Sequence, residues 1–285
     1  MAFRTVGVVG CGLMGSGIAQ VSAQAGIATV VREVDAAALE TGLGRIRRFL
    51  EDGVAKGKMT AGDRDKILGN IRGTTKLEDL AGSELVVEAA VEDLALKQEL
   101  FGALDRVVGP GAILASNTSS LSITELAAAT KDPSRVLGLH FFNPVPLMKL
   151  VEIVRGLTTA DAPFARAQEF VGQIGKTPVV CQDTPGFVVN RLLVPYLLDA
   201  VRVFESGIAT REDIDAGMKL GCGHPMGPLA LLDFVGLDTT YSIANILFEA
   251  FREPRFAPPP LLKRMVRAGH LGRKSGRGFY DYSAG

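Results

Sequence analysis

The stretch VGVVGCGLMGSGIAQ, Val6 to Gln20, decides how the rest of the chain is read. An apolar run over residues 6–9 stops at Gly10 and enters Gly10-x-Gly12-x-x-Gly15, with Gly17 and a small-residue helix behind it. Each of the three glycines has a mechanical task. Gly10 permits a tight strand-to-helix turn, Gly12 lets the backbone approach a pyrophosphate, and Gly15 lets the helix pack closely on its strand. Leu13 and Met14 lie inside the same turn. A pyrophosphate placed there meets free N–H groups at the positive end of the helix dipole. An acidic residue, Glu33, closes the second expected strand twenty-three residues after Gly10. That offset is near the roughly 20 residues expected of a ribose-binding carboxylate. The combined context marks a dinucleotide site; the plainer alternative is a glycine turn in some other α/β unit.

The composition narrows the class. A chain of 285 residues holds one large domain or two ordinary ones. Hydrophobic residues at 47% and charged residues at 22% give the balance of a soluble globular protein. Basic and acidic residues number 31 each, so no global field draws in nucleic acid or an anionic membrane. No apolar run approaches the ~20 residues that span a bilayer. The N-terminus passes from Met-Ala-Phe-Arg into the first strand, which leaves no room for a signal peptide. Cys11, Cys181 and Cys222 are far apart and lack metal-ligand spacing. They point to a reducing, cytoplasmic setting without disulfides or a metal site. Cys11 reads as a packing residue of the turn.

Strand-like runs at 5–9, 28–32, 85–89, 112–116, 136–140, 150–154 and 178–181 alternate with helix-like stretches at 36–50, 94–107 and 160–175. Continuous apolar strands separated by helices predict a sheet covered on both faces. After Asp183-Thr-Pro-Gly186 the strand signal stops. Residues 187–205, 211–220, 228–235 and 237–252 read as successive helices. The expectation is an α/β fold, with a Rossmann-like doubly wound sheet in residues 1–185 and an all-helical domain in 186–285.

Three features fall where such a sheet places its ligand, at strand carboxyl ends. Ser116-Asn-Thr-Ser-Ser120 follows one buried strand, and taken alone it reads more readily as a loop and helix cap. His140 ends the next strand, in Leu139-His-Phe-Phe-Asn-Pro144. Glu152 sits inside the apolar Leu150-Val-Glu-Ile-Val154, where a carboxylate is costly unless paired. If these two strands lie side by side, His140 is its natural partner. A carboxylate fixes an imidazole's tautomer and strengthens it as a general base. The alternative is a purely structural ion pair.

The strings Ser116-Asn-Thr-Ser-Ser120, Gly138-Leu-His-Phe-Phe-Asn-Pro-Val-Pro146, Asp183-Thr-Pro-Gly-Phe-Val-Val-Asn-Arg-Leu192 and His224-Pro-Met-Gly-Pro228 resemble the L-3-hydroxyacyl-CoA dehydrogenase family. Within it they are most like the short bacterial 3-hydroxybutyryl-CoA dehydrogenases. The resemblance covers essentially the whole chain. It implies oxidation of an (S)-3-hydroxyacyl-CoA to the 3-ketoacyl-CoA, with His140 as general base and Glu152 as its partner. Ser119 then holds substrate oxygen and Asn190 polarises the substrate. The implied cofactor contacts are Gly10, Gly12, Leu13, Met14, Gly15, Glu33, Glu92, Lys97, Asn143 and, in the tail, Lys274. Glu33 stands where the family more often has aspartate. Of the residues expected to meet coenzyme A, one falls on Phe49, which cannot donate a hydrogen bond, and one on Lys56. The basic stretch 45–58 either meets CoA phosphates or is a solvated helix face.

NAD is the expected cofactor. Arg32, beside Glu33, keeps NADP open, because an arginine there can receive a 2′-phosphate. An acyl-CoA is the expected partner, without nucleic acid or membrane, and the apolar helical half predicts a homodimer. The acyl-CoA is expected between the two halves, with Asn190 on the helical side. Two other readings remain: a dehydrogenase of a hydroxy acid not carried by CoA, and a non-catalytic dinucleotide-binding protein. His224 is assigned to helix entry and His270 to the surface.

Overall fold

The computed structural model describes residues 2–283. It divides into one compact unit that runs through Thr184 and a second that begins at Pro185.

The first unit opens with β1 (Thr5–Val9), whose Val6, Val8 and Val9 are buried, and α1 (Leu13–Gln24). Then come β2 (Ala28–Arg32), α2 (Ala36–Ala55), α3 (Ala61–Gly69) and β3 (Ile71–Thr74). The chain returns through β4 (Leu85–Glu88), α4 (Leu94–Val107), β5 (Ile113–Ser116) and α5 (Ile123–Ala127). It finishes with β6 (Val136–Phe141), β7 (Leu150–Arg155), α6 (Asp161–Gln173) and β8 (Thr177–Gln182). The helices start where the sequence supplies caps. Asp35 accepts from Ala38 N–H, Asp93 from Leu96 N–H, and Thr60 forms a reciprocal capping box with Asp63.

All eight strands form one sheet in the order β3-β2-β1-β4-β5-β6-β7-β8. It is parallel from β3 to β6; β7 runs antiparallel to β6, and β8 parallel to β7. Val9 pairs with Arg32 on one side and with Glu88 on the other, so three strands end level. The order reverses beside β1. A crevice opens there at the carboxyl ends, which is where a doubly wound sheet binds its ligand. The expected Rossmann-like architecture is therefore present. One core lies between the sheet and α1, α2 and α6, through Ile18, Ile46, Leu139, Ile153 and Phe170; on the other face Val86, Leu114 and Val136 are buried, as are Phe101 and Leu104 of α4.

The second unit is helical: α7 (Val189–Glu205), α8 (Arg211–Cys222), α9 (Pro228–Val235), α10 (Leu237–Phe251) and α11 (Pro260–Arg267). The helix expected from residue 187 starts at Val189, because Gly186 and Phe187 both take positive φ, 78° and 48°, and form a turn. This unit has its own core around Val194, Leu197, Leu229, Leu232 and Leu247. Two buried carboxylates fasten it. Asp215 accepts the N–H groups of Leu229 and Ala230, and Asp233 accepts those of Phe279 and Tyr280 in the tail. His270, expected at the surface, is half-buried.

Candidate functional site

The glycine turn has the geometry a dinucleotide needs. Gly10 has φ +90°, and a Cβ there would lie 2.6 Å from the Ala89 carbonyl oxygen. A Cβ on Gly15 would lie 1.8 Å from the Gly10 oxygen, so α1 can sit this close only with glycine. A Cβ on Gly12 would meet nothing within 4 Å. Packing does not require that glycine, whereas a ligand approaching the backbone does.

Glu33 faces the turn. Its Oε1 accepts the Cys11 N–H at 2.8 Å and its Oε2 accepts the Val34 N–H at 2.8 Å. Beside it is a cavity of about 610 Å³ bounded by Gly10, Gly12, Glu33, Ala90, Leu96 and Leu100. That volume suits the adenosine end of a dinucleotide, with apolar walls for a base and a carboxylate for ribose hydroxyls. The residues present fit NAD. Cys11 is a packing residue as expected. Burial and the nearby Glu33 carboxylate push its thiol up to about 11, and Gly42 leaves room for it: a Cβ there would sit 2.2 Å from Sγ.

The second feature comes from sheet register. In the antiparallel β6–β7 pair His140 lies directly opposite Glu152, and its Nδ1 is 2.6 Å from Oε2. Glu152 is 0% exposed and His140 6%. The dyad sits beside the polar loop after β5: Ser116 pairs with Gly138, and Asn117 Oδ1 accepts the Phe141 N–H at 2.9 Å.

That loop is held from behind by a network that sequence reasoning only half saw. Glu88, at the end of β4, is fully buried; it accepts from Ser116 Oγ at 2.6 Å and from Lys97 Nζ at 2.6 Å. Lys97 also reaches Glu92 Oε2 at 3.3 Å. The other Glu92 oxygen accepts the Ser119 N–H at 3.0 Å, the Thr118 hydroxyl, and the Ser120 hydroxyl at 3.3 Å. Lys97, expected to touch cofactor, is 1% exposed, and its ammonium is paired with Glu88 and Glu92. The signal for Glu88 was available: it is a carboxylate closing the apolar run Leu85-Val-Val-Glu88, as costly unpaired as Glu152.

Leu13, Phe49 and Asn143 border a small cavity of about 110 Å³, and Met14 is the next residue of α1. Lys56 is exposed at the C-cap of α2. In the helical unit Asn190 is the second residue of α7, and Lys274 pairs with Asp238 at 2.7 Å.

Residues 5–184 match the family model for the NAD binding domain of 3-hydroxyacyl-CoA dehydrogenase, and residues 186–282 match its C-terminal domain. The chain is 57% identical over 283 residues to a 3-hydroxybutyryl-CoA dehydrogenase of Mycobacterium tuberculosis, with 99% of each chain covered. It is 49% identical to the mitochondrial hydroxyacyl-coenzyme A dehydrogenase of Sus scrofa, covering 98% of this chain and 91% of that one. The crystal structure of the (S)-3-hydroxybutyryl-CoA dehydrogenase of Ralstonia eutropha superposes with a TM-score of 0.95 at 46% identity, with 99% of each chain covered. The chain belongs to the 3-hydroxyacyl-CoA dehydrogenase family.

Proposed function

We propose that this protein interconverts (S)-3-hydroxyacyl-CoA and 3-ketoacyl-CoA, with 3-hydroxybutyryl-CoA as the substrate and NAD as the cofactor. The observation that carries the reading is the His140–Glu152 dyad, set across two buried strands at the carboxyl end of the sheet. Glu152 accepts the Nδ1 proton of His140 and so fixes the tautomer whose Nε2 is basic. His140 then takes the proton of the C3 hydroxyl in the oxidative direction and returns it to the developing alkoxide in the reverse one. When bound, NAD supplies the hydride acceptor for C3. Ser119 holds the substrate oxygen, on a loop kept in place by Glu92 and, behind it, by Lys97 and Glu88. Asn190 polarises the substrate carbonyl, and Lys56 meets the coenzyme A moiety. The glycine turn, Glu33 and Asn143 orient the dinucleotide, and Lys274 contacts it.

We further propose a homodimer formed through the helical unit, working in the cytoplasm. The three cysteines are all free, which suits a reducing compartment. Among the described residues no helix is long and apolar enough to cross a membrane.

A spectrophotometric assay of NADH oxidation tests the reading. Turnover with acetoacetyl-CoA and none with acetoacetate supports it. Equal turnover of both points to a hydroxy-acid dehydrogenase indifferent to CoA. No turnover with tight NADH binding points to a non-catalytic dinucleotide-binding protein.

A further inference from the structure

The connector between the two dyad strands, residues 142–149, is held on opposite sides by Gly17 and Lys176, which have no part in the chemistry. The connector itself borders the site. The Phe142 ring lies 4.5 Å from the His140 ring, centroid to centroid, and Asn143 is the next residue.

On one side is α1, the helix that starts at the glycine turn. Gly17 follows the three glycines of that turn and is not one of them. A Cβ on Gly17 would lie 2.7 Å from the Val145 Cβ and 3.1 Å from its Cγ2. Side chains do not approach that closely, so the connector reaches this depth on α1 only over glycine. Val145 is 2% exposed, so the contact is closed to water. Gly17 and Val145 also border the small cavity that Leu13 and Asn143 line.

On the other side is β8. Lys176, just before it, gives its ammonium to two connector carbonyls, those of Val145 and Met148, each at 2.6 Å. The Thr177 N–H takes a third, that of Lys149, at 2.7 Å. The connector already closes its own turn, because the N–H groups of Leu147 and Met148 both donate to the Pro144 carbonyl. Burial pushes the Lys176 ammonium below the ordinary lysine range, so this charge is kept partly out of water. Val145 is thus gripped twice, its side chain by α1 and its carbonyl by Lys176.

We propose that Gly17 and Lys176 are positioning residues for the reaction. Together they fix how deeply the connector sits on the dinucleotide helix, and so the spacing of His140 and Asn143 from bound NAD. This rests on the proposed dehydrogenase activity.

The test measures the single-turnover rate of NADH oxidation by acetoacetyl-CoA, the Kd for NADH by nucleotide fluorescence, and Tm. Rates are taken well below the Tm of each variant. Lys176→Met keeps the aliphatic stem and loses both hydrogen bonds; it should slow the single turnover about tenfold, since misplacement by an ångström is worth up to about 10²-fold. The Kd for NADH should stay within about twofold. Lys176→Arg, which keeps a cationic donor, should restore part of the rate. Gly17→Ala should slow the same step, and combining it with Val145→Gly, which removes the opposing Cβ, should recover part of the loss. If Gly17→Ala does not fold, Lys176→Met decides alone. A wild-type rate in Lys176→Met with only Tm lowered overturns the proposal and leaves Lys176 a loop fastener. A rate loss matched by an equal loss of NADH affinity also overturns it, because the effect is then one of cofactor binding. A wild-type protein that binds NADH without any turnover is a different result: it defeats the proposed activity, and the positioning role falls with it.

Discussion

His140 and Glu152 have separable tasks, and their variants should differ accordingly. The imidazole is the group that moves a proton; the carboxylate, opposite it in register, holds Nδ1. His140→Ala is expected to lower kcat by roughly 10²- to 10⁴-fold, the usual worth of general acid–base assistance, while the Kd for NADH stays within about twofold. Glu152→Gln keeps the fold but lowers kcat, because the amide no longer fixes the productive tautomer. Near-normal turnover in either variant removes that residue from the mechanism. The cysteines offer a second check at this scale. Burial, then the Glu33 carboxylate, push the Cys11 thiol up to about 11. Burial, then Glu152 and Asp183, push Cys181 up to about 12. Thiolate is the reactive form, so neither should react at neutral pH in the native state. Cys222 is exposed. A thiol reagent should therefore label Cys222 promptly and the other two only on unfolding; rapid native labelling of Cys11 would show that the turn is open.

Elements are tied together by buried ion pairs, and two of these can be tested. Asp105 on α4 pairs with Arg135, just before β6, at 2.7 Å. Burial opposes ionisation of Asp105, but the Arg135 guanidinium and the Lys131 N–H outweigh it and hold the carboxyl below its usual range. A carboxyl depressed in the folded state adds stability above its unfolded pKa, about 3.9. That stability is lost as pH falls through the folded value. Asp105→Asn should therefore lower Tm most near pH 7, with the gap to wild type closing only as pH falls below about 4. A pH-independent gap would make the loss one of packing alone. On β4, Glu88→Leu leaves the buried Lys97 ammonium only its longer contact to Glu92 and should cost about 3 kcal/mol, whereas Glu88→Leu combined with Lys97→Met recovers much of it. In that double variant the Ser119 loop has lost its backing, so kcat falls while stability returns.

Elements also show what the sequence made legible. Seven of the eight strands carry a continuous apolar signal. The eighth, β3, has only four residues, and its central Arg72 and Gly73 are exposed at the sheet edge. It offers no run and no alternation, and only pairing with β2 defines it. The antiparallel turn into β7 was readable in principle. Eight residues separate Phe141 from Leu150, fewer than the dozen or so a parallel crossover needs. His140 and Glu152 stood out because one is polar at a strand end and the other is charged within an apolar run. The clamp of Cys11 and Val34 on Glu33 gave no such signal, since backbone N–H groups carry no sequence identity.

For the whole molecule, the proposed homodimer turns on the outer surface of the helical unit. It buries a core of its own through Leu197, Leu229 and Leu232, so its apolar content does not by itself demand a partner. The proposed interface rests on what remains outside. Leu192 is 65% exposed, Ile208 73% and Leu220 84%, and Phe234 and Val235 are also exposed. Large apolar side chains left in water by a helical unit that already has a filled core mark a surface for association. If copies associate through it, sedimentation at micromolar concentration should give a dimer, and Leu220→Glu or Phe234→Glu should shift the protein toward monomer. Both substitutions lie outside the NAD-binding unit, so NADH affinity should persist in the resulting monomer. A wild-type monomer at that concentration would end the dimer proposal. A dimer unmoved by both substitutions would place the interface elsewhere on the chain.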